Sequence, residues 1–87
     1  MFTVYVLYSL KDKHTYVGCT KDIIKRFKEH NEGKSLYTKR DTYKLIYYEA
    51  CENRKDAFTR EKYLKTGMGK RYLKNRLKNF LNGHESR

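Results

Sequence analysis

The sequence predicts an α+β domain: a small, mostly antiparallel three-stranded sheet with flanking helices, in the order ββαβαα. Three observations carry this reading. Residues 2–9, FTVYVLYS, set Phe2, Val4, Val6 and Tyr8 on one side and Thr3, Tyr5 and Leu7 on the other, the period-2 alternation of a strand. From Thr20 the apolar residues recur at helical steps instead, and after a third apolar run at 44–50 two further helical stretches follow. A hairpin followed by helices and a returning strand suits helices packed on a small sheet.

The elements follow in order. Lys11-Asp12-Lys13 is a polar turn, and His14 to Cys19 (HTYVGC) reads as a second strand paired to the first. Gly18 in that strand marks a bulge or a close approach of backbone. Ile23, Ile24, Phe27 and Asn31 keep helical spacing, with Thr20 or Asp22 as cap and Gly33 as stop. Residues 34–43 are polar and aperiodic, a loop, and Lys44 to Ala50 (KLIYYEA) forms the third strand. Asn53 caps a second helix carrying Ala57, Phe58, Glu61 and Leu64 on one face. Gly67 and Gly69 break it, and a third helix spans about 70–81, with an apolar stripe from the pairs 72/73, 76/77 and 80/81.

The chain has 87 residues, enough for one domain, drawn here at 1–82 with a tail at 83–87. Leu, Ile, Val and Phe number 18, close to the fraction of about 20% below which a highly charged chain is usually disordered, and the periodicity decides in favour of folding. A core this small leaves no room for a large enclosed cavity. No apolar stretch approaches a membrane span, and the first residues lack the basic flank and cleavage site of a signal peptide, so a cytoplasmic location is expected. Cys19 and Cys51 have neither the number nor the spacing of a zinc site and read as free thiols.

Charge narrows the partner. Lysine and arginine number 21 against 10 acids, and +8 of the net +11 lies within residues 54–80. Basic helices of this kind are the footprint of phosphate-backbone binding, with Lys62, Lys65, Lys70, Arg71, Lys74 and Arg76 as the candidate contacts. The same charges would also suit a solvated helical face or, less well, an anionic membrane surface, since the apolar stripes are needed for the core. Glu61 is different, because it shares the apolar face of its helix, where a carboxylate is expected to be ion-paired or metal-bound. Arg26 and His30 stack one turn apart on the first helix, an arginine fork beside a histidine that suits a phosphate and a proton, or an ordinary surface pair. Tyr5 and Tyr16 lie on adjacent strands, as packing residues or as chemistry.

The joint spacing of these residues resembles the GIY-YIG nuclease superfamily, in particular its small stand-alone members similar to the UvrC N-terminal endonuclease domain. Thr3-Val4-Tyr5 stands at the first motif and Tyr16-Val17-Gly18 at the second, followed by Arg26 and His30 in TKDIIKRFKEHN and Glu61 in TREKYLK. The likeness runs from about Phe2 to Leu81. Thr3 and Val4 replace the Gly and Ile of the first motif, and Val17 the Ile of the second, changes a strand accepts. The resemblance implies a metal-dependent endonuclease of low intrinsic sequence specificity, hydrolysing DNA phosphodiesters with one Mg²⁺ or Mn²⁺. Catalytic roles would fall to Tyr5, Tyr16, Arg26, His30 and Glu61, with Glu61 as metal ligand. Lys21, Lys25 and an asparagine after the glutamate, Asn75 or Asn79, would add contacts to the nucleic acid. DNA, branched or damaged, is the implied partner, with RNA also open; a homodimer or a larger DNA-repair complex is the assembly to expect. A non-catalytic nucleic-acid-binding module that keeps the fold is the alternative.

Overall fold

A computed structural model of the chain describes residues 1–31 and 43–85. Its elements are β1 (Phe2–Ser9), β2 (Thr15–Thr20), α1 (Ile23–Asn31), β3 (Tyr43–Cys51), α2 (Arg54–Leu64), α3 (Gly67–Arg76) and α4 (Lys78–Glu85). The sheet order is β2-β1-β3, and both pairs are antiparallel, as the hairpin-first order of elements predicted. β1 is the central strand, and its side chains are buried on both faces from Thr3 to Ser9. β2 and β3 are the edges.

The period-2 pattern of β1 divides the core into two layers. Val4 and Val6 pack with Ala57 and Leu64 of α2 and Leu73 of α3. Tyr5 and Leu7 face the other way, against Tyr43, Tyr16, and Ile23 and Phe27 of α1. Tyr8 continues the first layer, with its ring edge-on to Phe80 of α4 at 5.2 Å. So α2, α3 and α4 cover one face and α1 covers the other. Each large apolar side chain buried in these layers contributes about 1.5–3 kcal/mol.

Capping sets the helix starts. Asp22 Oδ1 accepts from the Lys25 amide, and Thr20 Oγ1 accepts from the Asp22 amide, so Asp22 is the cap of α1 and Thr20 steadies it. Asn53 Oδ1 accepts from the Lys55 and Asp56 amides, as the sequence predicted. At the end of α1, Asn31 accepts from the Tyr43 amide at 2.7 Å and donates to the Tyr43 carbonyl at 3.1 Å. This two-point bond ties the helix to the start of β3.

Several local expectations change. Tyr43 belongs to β3 rather than to the loop, because its ring is buried against Tyr16. Gly33 and the remainder of that loop lie outside the described residues. Gly67 and Gly69 do not break a helix but open one: Thr66 caps α3 by accepting from the Gly69 amide. Gly69 has to be glycine, since a Cβ there would overlap the Tyr63 carbonyl where α3 turns back on α2. The stretch expected as one helix over 70–81 divides at Leu77, whose φ of −110° and ψ of 22° leave the helical region. Leu77 thereby stays with the α2 layer while Phe80 reaches Tyr8. Ile24 and Phe58, placed on apolar faces by spacing, are exposed at 80% and 39%; Arg54 lies over the Phe58 ring.

Candidate active site

The site is built around the β2 edge. Tyr5 pairs with Gly18, and Leu7 with Tyr16, so Tyr5, Gly18 and Tyr16 share the face that α1 covers. No side chain at Gly18 intervenes, and the Tyr5 phenol lies in the space a Cβ there would fill. Of the two readings of Gly18, close approach is the right one; the register is irregular in β1/β3, between Val6 and Leu7. A groove of about 710 Å³ wraps this edge and is lined from both faces of the sheet. Tyr5, Tyr16, Arg26 and His30 line it from the α1 side, and Glu61, Lys65, Lys70 and Lys74 from the α2–α3 side.

Within the groove Tyr5 and His30 pair directly, with the hydroxyl 3.2 Å from His30 Nε2 and the rings edge-on. His30 is buried, and its Nδ1 has no hydrogen-bond partner among the described residues. Burial, reinforced by the charge of Arg26, pushes the His30 imidazole below its ordinary pKa, so the ring favours the neutral form. Arg26 is half exposed and 3.4 Å from Glu29. The neighbouring Tyr5 phenol raises its pKa against the opposing cost of desolvation, and Glu29 adds to the rise. The result is a phenol in contact with an imidazole that favours its neutral form, with a guanidinium nearby on the same groove.

Glu61 enters from α2. Its carboxylate is half-buried and accepts from Lys65 Nζ at 3.0 Å, one helical turn on, so an ion pair with a lysine is what it makes. Arg60, beside it in sequence, instead grips Glu49 of β3 with two bonds of 3.0 Å. Burial, the negative field of Glu61 and then that of Cys51 push up the Cys19 thiol, which lines the same groove and is thus a poor nucleophile. Cys51 lies beyond β1 on the opposite edge strand. Two strand spacings, about 9.5 Å, exceed the reach of a disulfide.

The donor set bears on metal binding. Among the described residues no group of three or more His, Cys, Asp or Glu could enclose an ion, which disfavours a structural zinc-type cage. One carboxylate opening on a groove fits a hard cation that keeps most of its waters and shares the rest of its shell with phosphate oxygens. Glu61 is the carboxylate in the groove lining.

The remaining candidates divide. Lys65, Lys70 and Lys74 line the groove. Arg71 and Asn75 line shallower depressions beside it with Lys78 and Tyr72. Lys21, Lys25 and Lys62 are exposed outside the groove lining, and Arg76 lies over the Tyr47 ring at 6.0 Å. Sequence reasoning passed over Lys13 and His14, which line the groove from the β1–β2 turn. Their position three and two residues before Tyr16, at the tip of the expected hairpin, was the available signal.

The fold and this arrangement define a GIY-YIG domain. The GIY-YIG catalytic domain family matches residues 1–75, and the chain belongs to that family. It is similar to the UPF0213 protein CPE1444 of Clostridium perfringens, 44% identical over 64 residues that cover 71% of this chain and 68% of that one. A UPF0213 protein of Pediococcus acidilactici, from the ldhD 5′ region, is 38% identical over 81 residues, covering 85% of this chain and 82% of its own. UPF0213 protein YazA of Bacillus subtilis is 42% identical over 57 residues, covering 63% of this chain and 58% of its own. No solved structure matches significantly. Membership implies nuclease-type chemistry on DNA, and no helix among the described residues is long and apolar enough to cross a membrane.

Proposed function

We propose that the protein is a divalent-metal-dependent endonuclease that hydrolyses DNA phosphodiester bonds with little sequence preference. The observation that carries this reading is the meeting of Tyr5, Arg26, His30 and Glu61 in one groove whose other charged lining residues are lysines. A pure binding surface has no use for a carboxylate held among those cations.

Arg26 places a permanent charge where the scissile phosphate enters and stabilises the extra negative charge of the pentacovalent state, a role worth about 3–4 kcal/mol for a preorganised donor. Tyr5 takes the proton of the attacking water. A phenol that accepts this proton has to give up its own, so it needs somewhere to pass it. His30 supplies that place: its Nε2 lies 3.2 Å away and its environment keeps the ring neutral. Water oxygen bonds to phosphorus, the bond to the 3′-oxygen breaks, and that oxygen leaves with the electron pair and is protonated by solvent. The ends are a 5′-phosphate and a 3′-hydroxyl. Tyr16 orients the phosphate, and Lys65, Lys70 and Lys74 hold the flanking backbone, with Arg71, Asn75, Lys21, Lys25, Lys62 and Arg76 as outer contacts. Glu61 would hold one Mg²⁺ or Mn²⁺, which supplies Lewis-acid polarisation of the phosphate when bound. A cytoplasmic role in DNA repair suits a chain of this size and charge. One site cuts one strand, so a double-strand break requires two copies or two visits.

The test is a cleavage panel of duplex, single-stranded, flap and branched DNA, and RNA, with Mg²⁺ or Mn²⁺, run beside Glu61→Gln. Cleavage by the wild type that Glu61→Gln loses while its fold persists supports the reading. Tight binding with no cleavage of any substrate selects the non-catalytic module.

A further inference from the structure

The rim of the groove at the β1–β2 turn combines a cation with an exposed ring. Lys13 and His14 both line the groove. Lys13 takes a left-handed φ of 60°, uncommon for a residue with a side chain, in a turn closed by Lys13 N–H to Ser9 O and Ser9 N–H to His14 O, each 2.8 Å. The His14 ring is exposed, and its centroid is 4.6 Å from that of Tyr16. Tyr16 is 5.3 Å from Tyr43, Tyr43 is 6.1 Å from His30, and His30 is 5.9 Å from Tyr5. Ring contacts therefore run unbroken from solvent to the phenol at the reacting centre.

Phosphate recognition does not require this. The groove already carries Lys13, Arg26, Lys65, Lys70 and Lys74 against the single carboxylate of Glu61, which is ample for a polyanion. Aromatic rings interleaved with cations are the design of single-strand binding sites, where each base offers a π-face to stack on. An intact duplex keeps those faces inside its own stack, so an open ring beside the backbone track gains nothing from it.

We propose that His14, backed by Tyr16 and flanked by Lys13, is a stacking subsite for one unpaired nucleobase next to the scissile phosphate. The groove then takes single-stranded DNA, or the unpaired arm of a flap, in preference to uninterrupted duplex. This rests on the nuclease reading of the same groove and names its substrate class.

The experiment measures binding of the full chain by fluorescence anisotropy in EDTA, so that it is independent of cleavage. Three probes are compared at one salt concentration: an oligothymidylate of about 15 nucleotides, a fully abasic strand of the same length, and a duplex of that length. The wild type is expected to bind the oligothymidylate about five- to tenfold more tightly than the abasic strand, the worth of one stacked base, and more tightly than the duplex. His14→Ala is expected to abolish that preference while leaving affinity for the abasic strand unchanged, and His14→Phe to retain it. His14 is exposed, so both variants should melt with the wild type. An undiminished preference in His14→Ala, or a wild type that binds duplex as tightly as the oligothymidylate, overturns the proposal, whether or not the protein cleaves DNA.

Discussion

Arg60 and Glu61 are neighbours in α2, yet their ion pairs behave as different objects. Arg60 crosses to Glu49 of β3 with two parallel bonds, its guanidinium also lies over the rings of Tyr63 and Tyr72, and the Tyr47 hydroxyl donates to the second Glu49 oxygen. Burial alone would raise the Glu49 pKa, but the two Arg60 bonds and the Tyr47 bond outweigh it and hold the carboxyl below its ordinary range. Every lone pair that matters is occupied, and the pair fastens the helix to the sheet. Glu61 holds one flexible lysine from its own helix, on the rim of a groove. Such an i,i+4 pair is worth only about 0.3–0.5 kcal/mol, so the lysine is easily traded for a metal ion or its phosphate. The two contacts differ in how completely each carboxylate is satisfied, and under the proposed function the less satisfied one serves chemistry.

Glu61→Gln tests the chemical member and should have the largest effect. Cleavage is expected to fall at least about 100-fold, which is about 2.7 kcal/mol of barrier, with the melting temperature within a few degrees of wild type. Retained cleavage would return Glu61 to the status of an ordinary helix pair. Gly18→Ala attacks the groove without touching either ion pair. Its Cβ drives into the Tyr5 phenol, a crowding that costs about 1–3 kcal/mol, and the displaced hydroxyl loses His30. Lower Tm together with lower cleavage is the expected signature; an unchanged Tm would show that Tyr5 can move aside freely.

Glu49→Gln breaks the structural member. A cost of about 1–2 kcal/mol is expected for this half-buried pair, lowering Tm by about 4–16 °C and leaving cleavage intact in the protein that remains folded. The pH dependence follows the same pair. Because the folded Glu49 pKa lies below its unfolded value, the unfolded chain binds more protons in the interval between them. The contribution is full above about pH 4.3 and is lost as pH falls through the folded pKa. Glu49→Gln should therefore flatten the acid limb of Tm against pH, and parallel limbs would unlink Glu49 from acid stability. Lys65→Met should have the smallest effect: stability within about 0.5 kcal/mol of wild type, and a salt slope of DNA binding shallower by about 0.7–0.9. An unaltered slope would remove Lys65 from the backbone contacts.

How far the sequence could be read depended on the range of the physics involved. The β1 bounds, the Asn53 cap and the β2 bounds within one residue follow from alternation and from hydrogen bonds made a few residues away. Gly67 and Gly69 misled because glycine both ends helices and permits close packing; only the Tyr63 carbonyl beneath Gly69 shows which use applies. The division at Leu77 was invisible for a similar reason, since it reflects two neighbours, the α2 layer and Tyr8, pulling one apolar stripe in two directions. Ile24 obeys helical spacing and is still exposed, because spacing defines a stripe but not the width of what lies against it.

The identities and order of Tyr5, Tyr16, Arg26, His30 and Glu61, and the family they imply, could be read in one dimension. Their meeting could not. Tyr5 and His30 are 25 residues apart, and Glu61 stands on a helix that covers the opposite face of the sheet. They share a groove because β2 is an edge strand that lets both faces open on one side, and because Gly18 leaves room beside Tyr5. Strand order and helix placement are set by long-range burial, which no local periodicity encodes.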